Sequence, residues 1–292
     1  MVDYAHAQDF QQCSGNFFKN SAPVINNPRL KNNSFQICYD GFAVNYSGVS
    51  KTPIFSASYL TYESLKKAKT LSREDNFHEE MRIPLRFRSL LSDYRGSGMD
   101  RGHNFPNGDA SNVASQFDSF TLTNISPQNS KNNQNQWRNI EEGVRAFITK
   151  TKQPAYVVTG PIYIGGKIKQ IGNGVLIPTH IYKVVYFPTI NIVGAYVTVN
   201  DSASKTDVVS VAQLQQFTGI TFFPQFKNTY LLNNRYNLPL SADAAYKQKE
   251  FKLMKSMFSD IFNVQANVDV QQKNIDSPRI EHEVLRILKK LM

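Results

Sequence analysis

Asn133, Trp137, Glu141 and Arg145 recur at every fourth position, and Trp137, Ile140, Val144, Phe147 and Ile148 form an apolar stripe through the same stretch. On an α-helix a step of four residues turns about 400°, so successive members of the series drift about 40° around the axis. One face of the helix is therefore apolar and fixed to a core, and the adjoining edge carries an amide, a carboxylate and a guanidinium. Asn133 and Glu141 fall about 80° apart around the axis and about 12 Å apart along it. Two direct ligands of one ion need to be closer. Side chains lean toward the helix N-terminus, however, so Glu141 can reach a water on an ion held by Asn133.

Upstream lies Asp100-Arg101-Gly102-His103, which adds an imidazole and a second guanidinium within residues 100–145. Water activation, a hard-cation oxygen ligand and cationic groups for phosphate are what phosphodiester hydrolysis needs. A neutral carbonyl is an acceptable ligand for Mg²⁺, which keeps several waters and lets substrate phosphate complete its shell. Each residue also has a plainer reading. His103 alone reads as a solvated loop histidine, Asn133 as a cap or turn residue, and Glu141 with Arg145 as a surface pair at i, i+4. Asp100 reads as a brace for the turn, and Gly102 as a position where a side chain would block a close approach.

Met99-Asp-Arg-Gly-His-Asn-Phe-Pro and Thr123-Asn-Ile-Ser-Pro-Gln, followed by Asn133-Gln-Asn-Gln-Trp137-Arg-Asn-Ile-Glu141, resemble the DNA/RNA non-specific endonucleases. That family belongs to the ββα-metal (His-Me finger) superfamily and includes extracellular bacterial nucleases and mitochondrial endonuclease G. The resemblance runs over roughly residues 10–226. It implies His103 as the base that deprotonates water, Asn133 as the metal ligand and Glu141 as a ligand through water. It implies Arg73, Arg101 and Arg145 as phosphate-binding groups. Asn124 is implied to support the base, through a backbone carbonyl that orients the imidazole. The implied cofactor is Mg²⁺, with Mn²⁺ or another divalent cation as substitutes, the substrates are DNA and RNA, and the products carry 5′-phosphates. Relatives commonly read His-Leu-Ala-Pro or His-Met-Ala-Pro after the arginine and glycine, whereas this chain has His103-Asn104-Phe105-Pro106. The proline keeps the loop length, and the two changed residues bear on fine substrate contacts.

Thirty-three Lys and Arg against 23 Asp and Glu leave a net charge of +10 over 292 residues, which suits a polyanionic partner. The composition is that of an ordinary globular protein, with 41% hydrophobic and 12% aromatic residues. No apolar run reaches transmembrane length. Cys13 and Cys38 are the only cysteines, too few for a zinc site. They lie in the segment that resembles exported family members, and a disulfide between them would stabilise by about 3.5 kcal/mol through loop closure. The start has no basic and apolar leader pattern. The chain thus reads as a mature secreted or periplasmic protein whose leader is absent, against a cytosolic protein with two free thiols.

Strand-like text covers residues 35–39, 42–46, 53–60, 120–124, 155–160, 174–186 and 190–199. Residues 62–69 read as a strand extension or a helical turn, 73–95 as a loop-rich path, 133–150 and 209–218 as helices. The expected fold is α+β, a central, mainly antiparallel sheet flanked by helices and carrying a ββα-metal motif. Residues 1–228 form the endonuclease domain and 229–292 a C-terminal helical extension, with a basic amphipathic stretch at 244–262 and a last helix starting at Ser277-Pro278. Docking on the same domain, a homodimer contact and a membrane surface are all open to that extension. The main rival function is a basic nucleic-acid-binding protein that has lost hydrolysis. A covalent-nucleophile hydrolase falls behind, because the chain has no Gly-x-Ser-x-Gly, Walker loop or His-Glu-x-x-His.

Overall fold

Along the chain, β1 (Ser34–Tyr39), β2 (Phe42–Ser47) and β3 (Thr52–Leu60) form a meander. A short antiparallel pair, β4 (Asp100–His103) with β5 (Ile125–Gln128), stands apart from it. Strands β6 (Ala155–Ile162), β7 (His180–Phe187), β8 (Ile192–Val199) and β9 (Thr206–Val209) then complete a seven-stranded sheet of order β9-β8-β7-β6-β3-β2-β1. Every pairing within it is antiparallel. The longer α-helices are α1 (Tyr62–Ala68), α2 (Val113–Ser119), α3 (Arg138–Thr151), α4 (Val211–Thr218) and α5 (Ala242–Lys247). This computed structural model describes residues 9–254 together with Ile261.

The sheet is covered on both faces, so its middle strands carry nearly continuous apolar text rather than a strict alternation. On β7 the parity still sorts the residues. Ile181, Val185 and Phe187 join the core that holds Trp137, Ile140, Val144 and Phe147 of the helical segment, whereas Tyr182, Val184 and Tyr186 face the other layer. That other layer is built from Phe10 and Phe17 of the N-terminal segment, Leu214 of α4 and Phe222 and Phe223 beyond it. Cys13 and Cys38 are disulfide-bonded and tie the N-terminal segment to β1. Helix α4 starts on a reciprocal Ser210–Gln213 cap and ends on Gly219 at φ +66°, a left-handed stop that glycine takes without strain.

Three readings from the sequence shift in the structure. Residues 120–124 are not the second strand of the motif: Leu122–Asn124 is a 3₁₀ turn and the strand follows at Ile125–Gln128. Pro127 disguised that strand, since proline cannot donate to a ladder; the two-stranded pair accommodates it opposite Arg101. Residues 174–186 split into Val175–Leu176 and β7, with Pro178 between them. The amphipathic stretch at 244–262 is helical only as far as Lys247 among the described residues. The helix expected from Ser277 lies outside the described residues.

The described part of the C-terminal extension packs on the sheet-and-helix core. Tyr196 donates its hydroxyl to the Pro239 carbonyl at 2.9 Å, and Lys150 Nζ donates to the carbonyls of Tyr246 and Gln248 at 2.7 and 2.9 Å. A Cβ at Gly143 would lie 3.0 to 3.1 Å from backbone atoms of Pro239 and Ser241, so the absence of a side chain there lets α3 approach this segment. Among the described residues no helix is long and apolar enough to cross a membrane.

Candidate active site

The strand pair β4–β5 and the helix that follows converge on one open cleft of about 630 Å³, lined by Arg73, Asp100, Arg101, His103, Asn133, Glu141 and Arg145 among others. The close approach within the pair depends on Gly102. A Cβ there would come within 2.1 Å of Gln128 Oε1 and 2.7 Å of its Cβ, and Gln128 Nε2 in turn donates to Asn132 Oδ1 at 3.1 Å. The strand is thereby linked to the start of the helix.

That start is not α-helical. Asn132–Trp137 forms a π-helical turn before α3 begins at Arg138. The α-helical spacing expected between Asn133 and Trp137 therefore does not apply, because a π turn follows i→i+5 bonding and is wider. Such turns collect at functional sites, and here it presents the amide that the sequence singled out. Asn133 Nδ2 donates to Asp100 Oδ2 at 2.9 Å, Gln134 Nε2 donates to the same oxygen at 2.9 Å, and Ser130 Oγ donates to Asp100 Oδ1 at 2.6 Å. A carboxylate only accepts, so the Asn133 nitrogen must face Asp100 and its Oδ1 must face away. These donors hold the Asp100 carboxyl below its ordinary range against the opposing effect of burial. Asp100 thus does more than brace a turn: it fixes which end of Asn133 is offered to the cleft.

His103 lies with one edge toward Phe120, ring centroids 4.9 Å apart, and with Phe77 at 5.5 Å. Its Nε2 is buried and has no hydrogen-bond partner. Burial, and then the nearby Arg73 guanidinium, push its pKa down to about 3, so the imidazole is neutral with a free lone pair. Arg73 and Arg101 lie over the same two rings, 5.4 Å from Phe120 and 4.4 Å from Phe77. The Arg73 segment is pinned to α2 by Gln116, which donates to the Ser72 carbonyl and accepts from the Glu74 amide. Arg73 also pairs with Asp75 at 2.6 Å, but both side chains are more than half exposed. Such a pair contributes little and exchanges readily for a phosphate.

Glu141 lines the cleft, and its carboxyl is influenced by Lys183 and Arg145 through charge, with no hydrogen bond to it among the described residues. Burial raises its pKa to about 7, opposed by Lys183 and Arg145 and reinforced by Asp109 and Glu142. Arg145 does not pair with Glu141 at i, i+4. Its Nη1 donates to the buried carboxylate of Asp109 at 3.0 Å, so the cation is held at the cleft wall.

Asn124 acts differently from the role implied for it. Its carbonyl accepts from Asn104 N at 2.9 Å and Asn104 Nδ2 at 3.0 Å, not from the His103 ring. Its side chain accepts from Phe105 N and Ser56 Oγ and donates to the Phe105 and Ser119 carbonyls. Asn124 thereby staples the loop after His103 to β3. The departure at Asn104 and Phe105 is explained by the same contacts. Asn104 adds a second donor to that carbonyl, and Phe105 stacks on Phe42 at 4.3 Å with rings 6° from parallel.

Two contributors were missed in the sequence. Lys183 is fully buried on β7, donates to Thr159 Oγ1 at 2.8 Å and lies 5.3 Å over the Trp137 ring. A lysine in phase with Ile181 and Val185 was the available signal. Asp109 had none, since its partner is distant in sequence.

The donor set limits the metal chemistry. Among the described residues no group of three or more His, Cys, Asp or Glu could hold an ion. An oriented amide oxygen with the Glu141 carboxylate in the same cleft fits a hard cation that keeps most of its waters.

The profile of the DNA/RNA non-specific endonucleases matches residues 14–229. The chain belongs to this family. It is 31% identical over 204 residues to nuclease C1 of Cunninghamella echinulata var. echinulata, covering 63% of this chain and 81% of that protein. It is 29% identical over 223 residues to the mitochondrial nuclease EXOG of Homo sapiens, covering 68% of this chain and 59% of that one. A crystal structure of an EndoG/EndoGI complex superposes with a TM-score of 0.64 at 26% identity, over 78% of this chain and 96% of that chain. The chain spans about half the length of the relatives from Schizosaccharomyces pombe and Caenorhabditis elegans, 49% and 52%. The expectation of a secreted or periplasmic protein is overturned by these relatives. Those from fission yeast, human, nematode and budding yeast are mitochondrial nucleases. The cysteine pair that suggested export does form a bridge, but a bridge fastens the N-terminal segment without naming a compartment.

Proposed function

We propose that the protein is a metal-dependent endonuclease that hydrolyses phosphodiester bonds in DNA and RNA with little sequence preference and leaves 5′-phosphate ends. The observation that carries this reading is the meeting, in one cleft, of a neutral His103 with an Asn133 amide whose nitrogen is held by Asp100 so that its oxygen is turned outward. Asn133 would hold the cation directly and Glu141 through water, with Mg²⁺ the first candidate and Mn²⁺ a substitute. When bound, the ion neutralises charge on the phosphate and the departing sugar oxygen. His103 takes the proton of the attacking water on its imidazole. Arg73 and Arg101 receive the non-bridging phosphate oxygens, and Arg145 maintains positive potential at the wall. None of these contacts reads a base edge, so sequence does not enter.

Residues 1–228 are read as the nuclease domain and 229–292 as an extension docked on it, a reading supported by the contacts of residues 229–254 with α3 and β8. The mitochondrial relatives support a mitochondrial setting for this chain.

Digestion of supercoiled plasmid and of RNA by the purified protein, with Mg²⁺ and with EDTA in excess, tests the proposal. Nicking and degradation that stop on chelation are expected. Binding without cleavage at saturating Mg²⁺ and Mn²⁺ would make the protein a nucleic-acid binder and sink the hydrolytic reading.

A further inference from the structure

Asn107 opens the 3₁₀ turn Asn107–Asp109 just beyond His103 and lines the cleft. Its neighbours in that turn are occupied with Arg145. Asp109 accepts from Arg145 Nη1 at 3.0 Å. The guanidinium lies so close over Gly108 that a Cβ there would be 3.2 Å from Nη1. The backbone of Asn107 is also used, its carbonyl accepting from Ala110 N at 3.1 Å. The side chain is not: Nδ2 is shielded from solvent and has no acceptor. Nearly all buried amide groups are hydrogen-bonded, so an orphan at a cleft wall needs an account. As a donor it requires an acceptor, and the cations that line the same cleft, Arg73, Arg101, Arg138 and Arg145, outnumber the carboxylates of Asp100, Glu141 and Glu142 and favour an anionic one.

We propose that Asn107 is a further substrate-contacting residue, whose half-buried side chain turns from the cleft wall so that the unpaired Nδ2 donates to a non-bridging oxygen of the nucleic-acid phosphate. This rests on the hydrolytic reading of the cleft. A neutral amide adds a directional donor without further positive charge, so it can favour one placement of the phosphate over others near the base. The contact is common to DNA and RNA, because both carry the same phosphate.

The test uses the full chain, with Asn107→Ala and Asn107→Asp compared to the parent. Steady-state cleavage of duplex DNA and of single-stranded RNA is measured at saturating Mg²⁺, together with thermal midpoints. Asn107→Ala is expected to lower kcat/KM by roughly ten- to a hundredfold on both substrates, the range for losing a hydrogen bond to a charged group. Its midpoint should stay level or rise, since an unsatisfied buried donor has been removed. Asn107→Asp keeps the size but turns an acceptor toward the phosphate, and should lose more than Asn107→Ala. A parent-like rate for Asn107→Ala overturns the proposal. So does a fall in activity that follows a fall in midpoint, or a loss confined to one nucleic acid. DNA affinity in a His103→Ala background separates the two readings. If the parent itself fails to cut, hydrolysis has failed as a reading. A several-fold weaker affinity on adding Asn107→Ala would still support the phosphate contact, and an unchanged affinity would remove it.

Discussion

The two faces of the sheet bury different kinds of polar group, although the rear layer too has an unpartnered atom, Asn45 Oδ1. Behind the sheet, Phe10, Phe17, Phe55, Phe222 and Phe223 fill the layer, and the hydroxyl of buried Tyr182 is matched by the Ile54 carbonyl. On the cleft face the interior admits Lys183 and the Asp109–Arg145 pair, and leaves His103 Nε2, Asn107 Nδ2 and Trp137 Nε1 without partners. Unsatisfied buried groups cost stability unless something outside the chain completes them. Both layers bury large apolar clusters, but those charged groups lie in the front one. On the proposed function the front layer holds groups that substrate would complete, His103 and Asn107 among them, and that division can be tested residue by residue.

The largest effect should come from His103→Ala. General-base catalysis contributes about 10²–10⁴-fold, and turnover should fall by at least that range while DNA affinity stays within a few-fold. Cleavage rate and equilibrium binding of the variant, measured side by side, check this, and cleavage surviving within a few-fold would mean that another base operates. The pH profile sharpens the same point. Burial holds His103 well below its ordinary 6.5, so the base stays neutral as pH falls through that value. Glu141 behaves in the opposite sense: raised to about 7, it takes up a proton as pH falls through neutrality unless a cation holds it ionised. The acid limb of the rate should thus lie below pH 6.5 at saturating Mg²⁺ and move up toward 7 at limiting Mg²⁺. Superimposable limbs at the two concentrations would remove Glu141 from the metal's surroundings.

Next in size are the residues proposed to present the ion. Asn133→Ala should cost activity by orders of magnitude at fixed Mg²⁺, with the fold intact. Asp100→Ala keeps the ligand but frees its amide to rotate, and should cost roughly tenfold, on the scale of one charge-assisted hydrogen bond. Added Mg²⁺ should recover part of the Asp100→Ala loss and little of the Asn133→Ala loss. Equal recovery of both would show that Asp100 does not act through Asn133.

The front and rear layers also differ in how much of them could be read in advance. His103, Asn133 and Glu141 stand at fixed spacings in a local motif, so the sequence brought them together before any fold was known. The strands at residues 35–39, 42–46, 53–60 and 155–160 were legible because apolar and β-branched residues cluster there between turn signals. The π turn at Asn132–Trp137 was not legible, since the four-residue spacing that suggested a helix fits α-helix equally well. Nor were the long-range partners. Asp109 with Arg145, Lys183 beneath Trp137, and Asn124 with Ser56 join residues whose meeting depends on the whole topology. Pro127 hid a strand by a rule that holds for central strands and relaxes in a two-stranded pair.

On the rear face the expected effects are on stability, not chemistry. Phe222→Ala should destabilise by about 3–5 kcal/mol, as for large core truncations, and kcat measured well below the midpoint should be unchanged. Paired Cys13→Ala and Cys38→Ala should cost about 3.5 kcal/mol on the loop-closure scale, again without a change in kcat. Denaturant titration and steady-state rates on the same preparations decide it. A kcat loss of tenfold in either variant at a temperature where it is folded would break the division between the layers.

The smallest effect expected is at the cleft's outer cations. Arg73 is more than half exposed and already shares its charge with Asp75, and Arg101 is exposed over Phe77. Each exposed contact with a phosphate is worth little more than a surface ion pair, so Arg73→Ala and Arg101→Ala should each weaken DNA binding only several-fold. Their signature lies in the salt dependence. Each cation that neutralises one phosphate contributes about 0.9 to the slope of log affinity against log salt, so each variant should flatten that slope by roughly one unit across sequences alike. Asn107→Ala, being neutral, should leave the slope unchanged. A flattened slope for Asn107→Ala, or an unaltered one for both arginine variants, would mean that the charged and uncharged contacts have been assigned the wrong way round.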